Sequence, residues 1–540
     1  MTSRGPFRLR EATLLALLVL SFFSILTYTA RYSLNPDGVS YLDLAGVWGK
    51  GDWNRFVQGY WSPLYPALIG SFSRVTGITG RNLIPLAHVL NLVFLLGTVV
   101  IVASWARRVA DPAFGRAAFA ALLLCSSGPP RVEAVTPDLL LILVLTGATY
   151  ELVAREGRRW LVTGLLLGTA FLVKTSIWPW LLIGAGVRIW GAARDRQARG
   201  SVLRSMAVTG AVMLIWIVPM SVKAGGFSLG SAARLNYCWY LTRCDSRIPD
   251  LHSGSHQAYE QVRLGSGEPI TVARFDQAGS WTYQPWSDPT GWSQGIETQS
   301  LTPPSASRLA AYWLGLLARV FGRWLMPLLL AVLLPLALSC RWGGSWRGVG
   351  PGPTSAGAPI AVALGLLGLG QFVAIHAEPR LIAPFALMLA LGAIHWLVDL
   401  RGRSPAVPPA RSLVVWLGLV VGIGISGFRI RDGLEADERL RGTIHELAGA
   451  VARFSAAGVS MERITVVGPA MPVVATAYLV EGRIVSQVLP RSAEALYRLS
   501  AAERREVIGR VFAGQADVAW LVLPDGGVQF IPLGRPGLLP

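Results

Sequence analysis

Apolar residues fall along this chain in long unbroken blocks, without the alternation of surface strands or the single stripe of surface helices. The blocks lie near residues 12–30, 83–105, 113–127, 137–154, 160–174, 176–191, 205–221, 320–339, 358–375, 381–398 and 411–428. A helix that crosses a bilayer needs about 20 mainly apolar residues. The pattern therefore predicts a polytopic α-helical membrane protein with about eleven spans. One long block, 160–191, carries Lys174 in its middle and must break near Lys174–Pro179 to make two spans.

Polar stretches divide the chain further. A membrane domain is expected over residues 1–430, with a first outer loop at 31–82 and a large outer loop at 222–308. From 431 to 540 the composition turns globular. There "RITVVG", "RIVSQV" and "DVAWLVLP" read as strands, between helical stretches such as "LRGTIHELAGAVARF" and "SAAERREVIGRVF", which makes a small α/β domain. Its "VVGPAMP" lacks the Gly-x-Gly-x-x-Gly pattern, so no nucleotide site is expected.

Composition sharpens the class. Apolar residues make up 52% and charged residues 15% of the 540, with mean hydropathy +0.47. Soluble domains carry roughly 25% charged residues. The net charge of +18 would point to nucleic acid in a soluble protein. In a membrane protein the excess arginine sets topology and meets anionic lipid, so no nucleic-acid partner is expected. With the N-terminus cytoplasmic, the inner connections hold Arg107 and Arg108, then Arg155, Arg158 and Arg159, then Arg194, Arg196 and Arg199, then Arg341 and Arg347, then Arg401 and Arg403. Every one is basic, as the positive-inside rule requires. The basic start (Arg4, Arg8, Arg10) meets no small-residue cleavage site after the first block, so a retained first span is expected. Cys125 and Cys340 read as inert apolar residues, and Cys238 and Cys244 could pair if their loop is outside the cytoplasm. His252 and His256 lack a third ligand at useful spacing and read as solvated loop residues.

The chemistry gathers at the outer rim. In "NPDGVSYLDLAGVWGKGDW", Asn35 is a candidate N-cap, Pro36 suits the first helical position, and Asp37 falls in the first turn. Helical spacing puts Asp37, Tyr41 and Leu44 along one face and turns Asp43 away. "DGVSYLDLAGVW" and "SPLYPALIGSFSRV" read as two interfacial helices on the outer surface. Glu133 and Asp138 lie where the chain re-enters from outside, Lys174 lies at an outer break, and His376, Glu378 and Arg380 share the outer turn "AIHAEPRLIAP". Each has a plain alternative: a helix-start acid for Asp37 and Asp138, a snorkelling lysine, a local Glu378–Arg380 ion pair. Together they describe a site for an anionic headgroup whose tail stays in lipid.

In their order, "PDGVSYLDLA…GDW", "WSPLYPALIG", "TPDLLL", "GLLLGTAFLVKTS" and "HAEPRLIAPFALMLAL" resemble the GT-C superfamily of glycosyltransferases. More narrowly they resemble the group of bacterial lipid-A aminoarabinose transferases and protein O-mannosyltransferases. The resemblance implies a multi-pass enzyme of the bacterial inner (plasma) membrane, with a periplasmic C-terminal domain, working on the cell envelope. Such an enzyme moves a hexosyl or pentosyl group from a polyprenyl-phosphate donor to a hydroxyl on a glycan, lipid or protein, with inversion. By the same resemblance Asp37 and Asp138 are the catalytic acids, and Lys174 and Arg380 meet the donor phosphate. Tyr41, Glu133, His376 and Glu378 are further candidates for substrate contact. A divalent ion (Mg, Mn or Zn) on Asp37 and Asp138 is also implied, although relatives often carry a second acid where this chain has Gly38. The alternatives are a lipid or glycolipid flippase, which would favour internal repeats and midplane charges, and an inactive relative.

Overall fold

A computed structural model of the chain describes residues 9–109, 112–126, 134–155, 158–193, 195–237, 257–263, 269–275, 281–287, 357–375, 379–401, 459–468, 473–488, 490–512, 514–523 and 528–533, with a few isolated positions between them. The expected blocks at 320–339 and 411–428 lie outside the described residues, as do Cys238, Cys244, His252, His256, Glu133, His376 and Glu378.

Within the described residues the apolar blocks are helices: α1 (Leu9–Thr29), α4 (Leu83–Val109), α5 (Pro112–Ser126), α6 (Asp138–Val153), α7 (Trp160–Val173), α8 (Trp178–Gly191), α9 (Arg196–Ala224), α10 (Gly357–Ile375) and α11 (Pro379–Arg401). Two helical stretches, Gly80–Val109 and Arg196–Ala224, are long and apolar enough to cross a membrane by length and composition. Leu14, Leu17 and Leu18 on α1, Val89, Val93 and Val100 on α4, and Leu214, Ile215 and Val218 on α9 point outward and are exposed. Such continuous outward apolar surface is unstable in water and is covered by lipid. α7 and α8 have only 14 residues each, about 21 Å of helix, against a hydrocarbon core of about 30 Å. At that length neither helix alone reaches across such a core.

Residues 31–82 hold α2 (Pro36–Gly49) and α3 (Leu64–Thr76), close to the two expected stretches. The setting of α2 differs from the interfacial one, whereas α3 keeps Phe72 and Val75 exposed. On α2, residues Gly38 to Ala45 are all buried, so it has no lipid- or water-facing side there. α3 covers one flank of α2, and Ser40 and Asp43 bond residues 282–287 on the other. α2 and α3 meet at Gly70, where a Cβ would lie 2.4 Å from the Ala45 carbonyl oxygen and 2.8 Å from Trp48 Cδ1. Gly70→Ala is therefore expected to destabilise the protein by about 1–3 kcal/mol through overpacking. Thermal unfolding of the purified variant in detergent checks this, and an unchanged midpoint would refute the close contact.

Among the described residues the strands form one sheet of six in the order β1-β2-β4-β3-β5-β6. β3 (Arg463–Val467), β4 (Arg483–Val488) and β5 (Val518–Val522) are the strands legible in the C-terminal sequence. The hairpin of β1 (Gln257–Arg263) and β2 (Pro269–Phe275) comes from the large outer loop, and β6 (Val528–Pro532) closes the far edge. β2 pairs antiparallel with β4 through Val272 and Val488, while β3 lies parallel between β4 and β5. Two pieces read separately in the sequence thus share one sheet. Alternation divides its faces: Val467, Val488, Ala519 and Leu521 pack with Ile508 and Phe512, and Ile464, Val466 and Trp520 join the core that continues into the helices. Tyr478 donates its hydroxyl to the Gly80 carbonyl at 3.1 Å, which ties this domain to the foot of α4.

Candidate functional site

The charged side chains at the rim are set by breaks and starts of helices. Asp37 is the second residue of α2, after Pro36. Asn35 occupies the N-cap position, yet its side chain makes no cap bond and its Oδ1 is buried without a partner. Asp138 opens α6, directly after Pro137. The preceding strand of chain is held by Asn91, which donates to the Ala134 carbonyl at 2.8 Å and accepts from the Tyr65 hydroxyl at 3.1 Å.

Lys174 stands in the break, with φ −149°, followed by a 3-10 turn at Thr175–Ile177. Backbone freed in a break must be satisfied within the protein. Ser62 Oγ accepts from the Thr175 amide at 2.9 Å. Gln371 of α10 donates to the Ser176 carbonyl at 3.1 Å and accepts from the Trp180 amide at 2.9 Å.

These elements bring Asp37, Tyr41, Asp138, Lys174 and Arg380 to one cavity. Lys174 Nζ lies 2.6 Å from Asp138 Oδ1, and Arg380 Nη2 lies 2.6 Å from Asp37 Oδ2. The second oxygen of Asp138 is buried and has no hydrogen-bond partner among the described residues. Arg380 belongs at the second position of α11, and its partner is the acid of α2, 343 positions away by their numbers (380 − 37). The local pairing with Glu378 is a reading on a residue outside the described set.

Tyr41 sits one turn along α2 from Asp37 and is buried beside Trp61 and Tyr65, with ring centroids 5.0 and 5.5 Å away. Burial, and then the charges of Asp37 and Asp138, push its hydroxyl well above the ordinary tyrosine value. Tyr41 therefore stays protonated and can donate or accept a hydrogen bond, but cannot serve as a base.

Aromatic residues not singled out in the sequence complete the wall. Tyr60, Trp61 and Trp286 line the cavity, with Asn236 and Gln371 as polar neighbours. Trp286 comes from the large outer loop, and its carbonyl accepts from Ser40 Oγ and Trp61 Nε1. The signal available was the aromatic density of "GYWSPLYP" and "YQPWS". Asp43 is the other missed residue. Its oxygens accept from the Thr282 amide at 2.8 Å, Thr282 Oγ1 at 2.9 Å and Ser287 Oγ at 2.8 Å, with Arg483 Nη1 at 4.0 Å. It points away from Asp37 and fastens the loop carrying Trp286 to α2.

Among the described residues the donor set does not fit a divalent ion. Among the described residues no three of His, Cys, Asp and Glu come together. Asp37 and Asp138 are each held by a cation. At Gly38 a Cβ would meet Asn35 Oδ1 and Val135 Cβ at 2.8 Å, so packing fills the place where a second acid would stand.

Two acid–base pairs lie together under an aromatic wall, in a cavity at one end of an apolar helix bundle. No family model matches the sequence, and no curated protein matches it. Among solved structures the chain is similar to ArnT from Cupriavidus metallidurans bound to undecaprenyl phosphate, with TM-score 0.48 at 14% identity over 95% of this chain and 92% of that one. It is similar to the same protein in the apo state, with TM-score 0.48 at 14% identity over 95% and 94%.

Proposed function

We propose that this protein is a glycosyltransferase that moves a sugar from a polyprenyl-phosphate donor to an acceptor hydroxyl at the outer membrane face, inverting the anomeric carbon. The observation that carries the reading is the pairing of Asp37 with Arg380 and Asp138 with Lys174 in one cavity. Two cations held by carboxylates form a phosphate site that is neutral until the donor arrives. The order of the rim motifs in the sequence supports the same reading.

The donor phosphate exchanges for the carboxylates on Lys174 and Arg380, and the arginine fork suits phosphate oxygens. The exchange frees Asp37. The acceptor oxygen then attacks the anomeric carbon from the face opposite the phosphate, and its proton passes to the Asp37 carboxylate. The carbon–oxygen bond to phosphate breaks with its electron pair leaving on the phosphate, where Lys174 and Arg380 stabilise the new charge. Asp138, with one oxygen free, orients a sugar or acceptor hydroxyl, and Tyr41 adds a hydrogen bond. Tyr60, Trp61 and Trp286 offer apolar faces to the sugar ring. In this reading the N-terminus is cytoplasmic, the sheet lies outside, and hexosyl or pentosyl donors are the substrates.

The test gives purified protein in lipid a panel of polyprenyl-phosphate sugars, with a crude envelope extract as acceptor source. Release of polyprenyl phosphate is expected for one donor class. No release from any donor, or movement of the intact lipid between leaflets, would replace the enzyme with an inactive relative or a flippase.

A further inference from the structure

At the end of the bundle away from the charged cavity, one arginine is placed against expectation. Arg188 lies in the last turn of α8, about 15 Å along the helix from Trp178. An arginine one turn from a helix end ordinarily extends to the membrane surface. Arg188 instead turns inward and is only 5% exposed. Its Nη2 donates to Ser205 Oγ of α9 at 3.2 Å. Among the described residues no carboxylate lies within ion-pair distance of it. The sequence has no Asp or Glu between Glu297 and Glu378, so the chain that joins α9 to α10 beyond the outer loop brings none. An arginine always carries its charge, and a buried charge needs a partner.

The space beside it is apolar. Arg188 borders a groove between α7, α8, α9 and α10, walled by Leu167, Leu182, Met206, Met213 and Leu364. Leu182 is exposed, so the groove opens on the lipid side. Gly210 forms part of the wall, and a Cβ there would meet no atom within 4 Å. Exposed Arg196 and Arg199 follow at the start of α9, which makes this end of the bundle basic. A cation with no carboxylate partner among the described residues, at the head of an open apolar groove, matches one class of ligand: a lipid with an anionic phosphate head and apolar chains.

We propose that this groove binds an anionic phospholipid from the leaflet opposite the charged cavity, with its phosphate on Arg188 and a chain against Met206, Met213 and Leu182. The site is separate from the cavity of Asp37 and Asp138, and the proposal stands whether or not the protein transfers sugars.

The test measures the unfolding midpoint of the full-length protein in detergent by tryptophan fluorescence. Phosphatidylglycerol, phosphatidylcholine of the same chains and inorganic phosphate are titrated separately. Wild type is expected to gain stability with phosphatidylglycerol beyond the phosphatidylcholine response. Arg188→Met should need at least about ten times more phosphatidylglycerol for the same shift, as expected for loss of a charge-assisted contact. Gly210→Leu, which fills the groove and keeps the arginine, should weaken the response likewise. Should Arg188→Met fail to fold, Gly210→Leu carries the test. Wild-type responses in both variants would overturn the proposal. An Arg188-dependent shift with inorganic phosphate alone would overturn it too, because the chains would then contribute nothing.

Discussion

Asp37→Asn is expected to lower sugar transfer by about 10²–10⁴-fold, the usual contribution of a positioned general base. Asparagine keeps the shape of the side chain and can still accept a hydrogen bond from Arg380, but it cannot take the acceptor's proton. The loss should fall on kcat. Donor KM should stay level or drop, because Arg380 no longer has to surrender the Asp37 carboxylate before it meets phosphate. Stability should hardly change, since the pair is partly exposed, with Arg380 at 26% and Asp37 at 17%, and such pairs contribute little. Lys174→Met is the contrasting variant: it removes a phosphate contact and leaves Asp138 buried without its cation, so donor KM should rise. Steady-state kinetics on both, with thermal unfolding as the control for folding, separate base from clamp. A fully active Asp37→Asn protein would remove Asp37 from the chemistry.

Asp43→Ala is expected to destabilise the protein by about 3–5 kcal/mol, the cost of leaving a buried polar network without its charged acceptor. The Thr282 amide, both hydroxyls and Arg483 would all lose it. Turnover should fall as well, because Trp286 and the opposite face of α2 with Asp37 depend on that seat. The pH dependence gives a second readout. Burial raises the Asp43 carboxyl above the ordinary carboxylate value, against lowering by Arg483, Thr282 and Ser287. The folded protein therefore binds this proton more readily than the unfolded chain. Its contribution to stability is present below the ordinary carboxylate pKa and is lost as pH rises through the raised folded value. Wild type should gain stability as pH falls across that window, and Asp43→Ala should lack that part of the slope. Parallel unfolding curves against pH for the two proteins would contradict the assignment.

Much of the charged cavity was legible because its parts are local. Asp37 and Tyr41 share a face through helical pitch alone. Lys174 had to mark a break, because an apolar block near 32 residues long (160–191) makes two short helices and not one span. Pro137 and Pro36 announced helix starts, and each put an acid in the first turn. Asp43 was not legible in the same way. It was placed correctly, facing away from Asp37, but its partners Thr282 and Ser287 lie 239 and 244 positions on. The β1–β2 hairpin was hidden in a polar loop for a related reason: its register is set by β4, some two hundred residues later.

The sequence by itself determined that the chain is built of membrane-type helices, where those helices break, and that acids and cations lie at their ends. Those are properties of composition and of the 3.6-residue period, which short windows carry. Only the tertiary structure decided that Arg380 takes Asp37 and Lys174 takes Asp138, that α2 is enclosed on both flanks, and that Arg188 turns into the bundle. Each of these depends on the separation of side chains on different helices. That separation is fixed by how whole elements pack, and no local pattern encodes it.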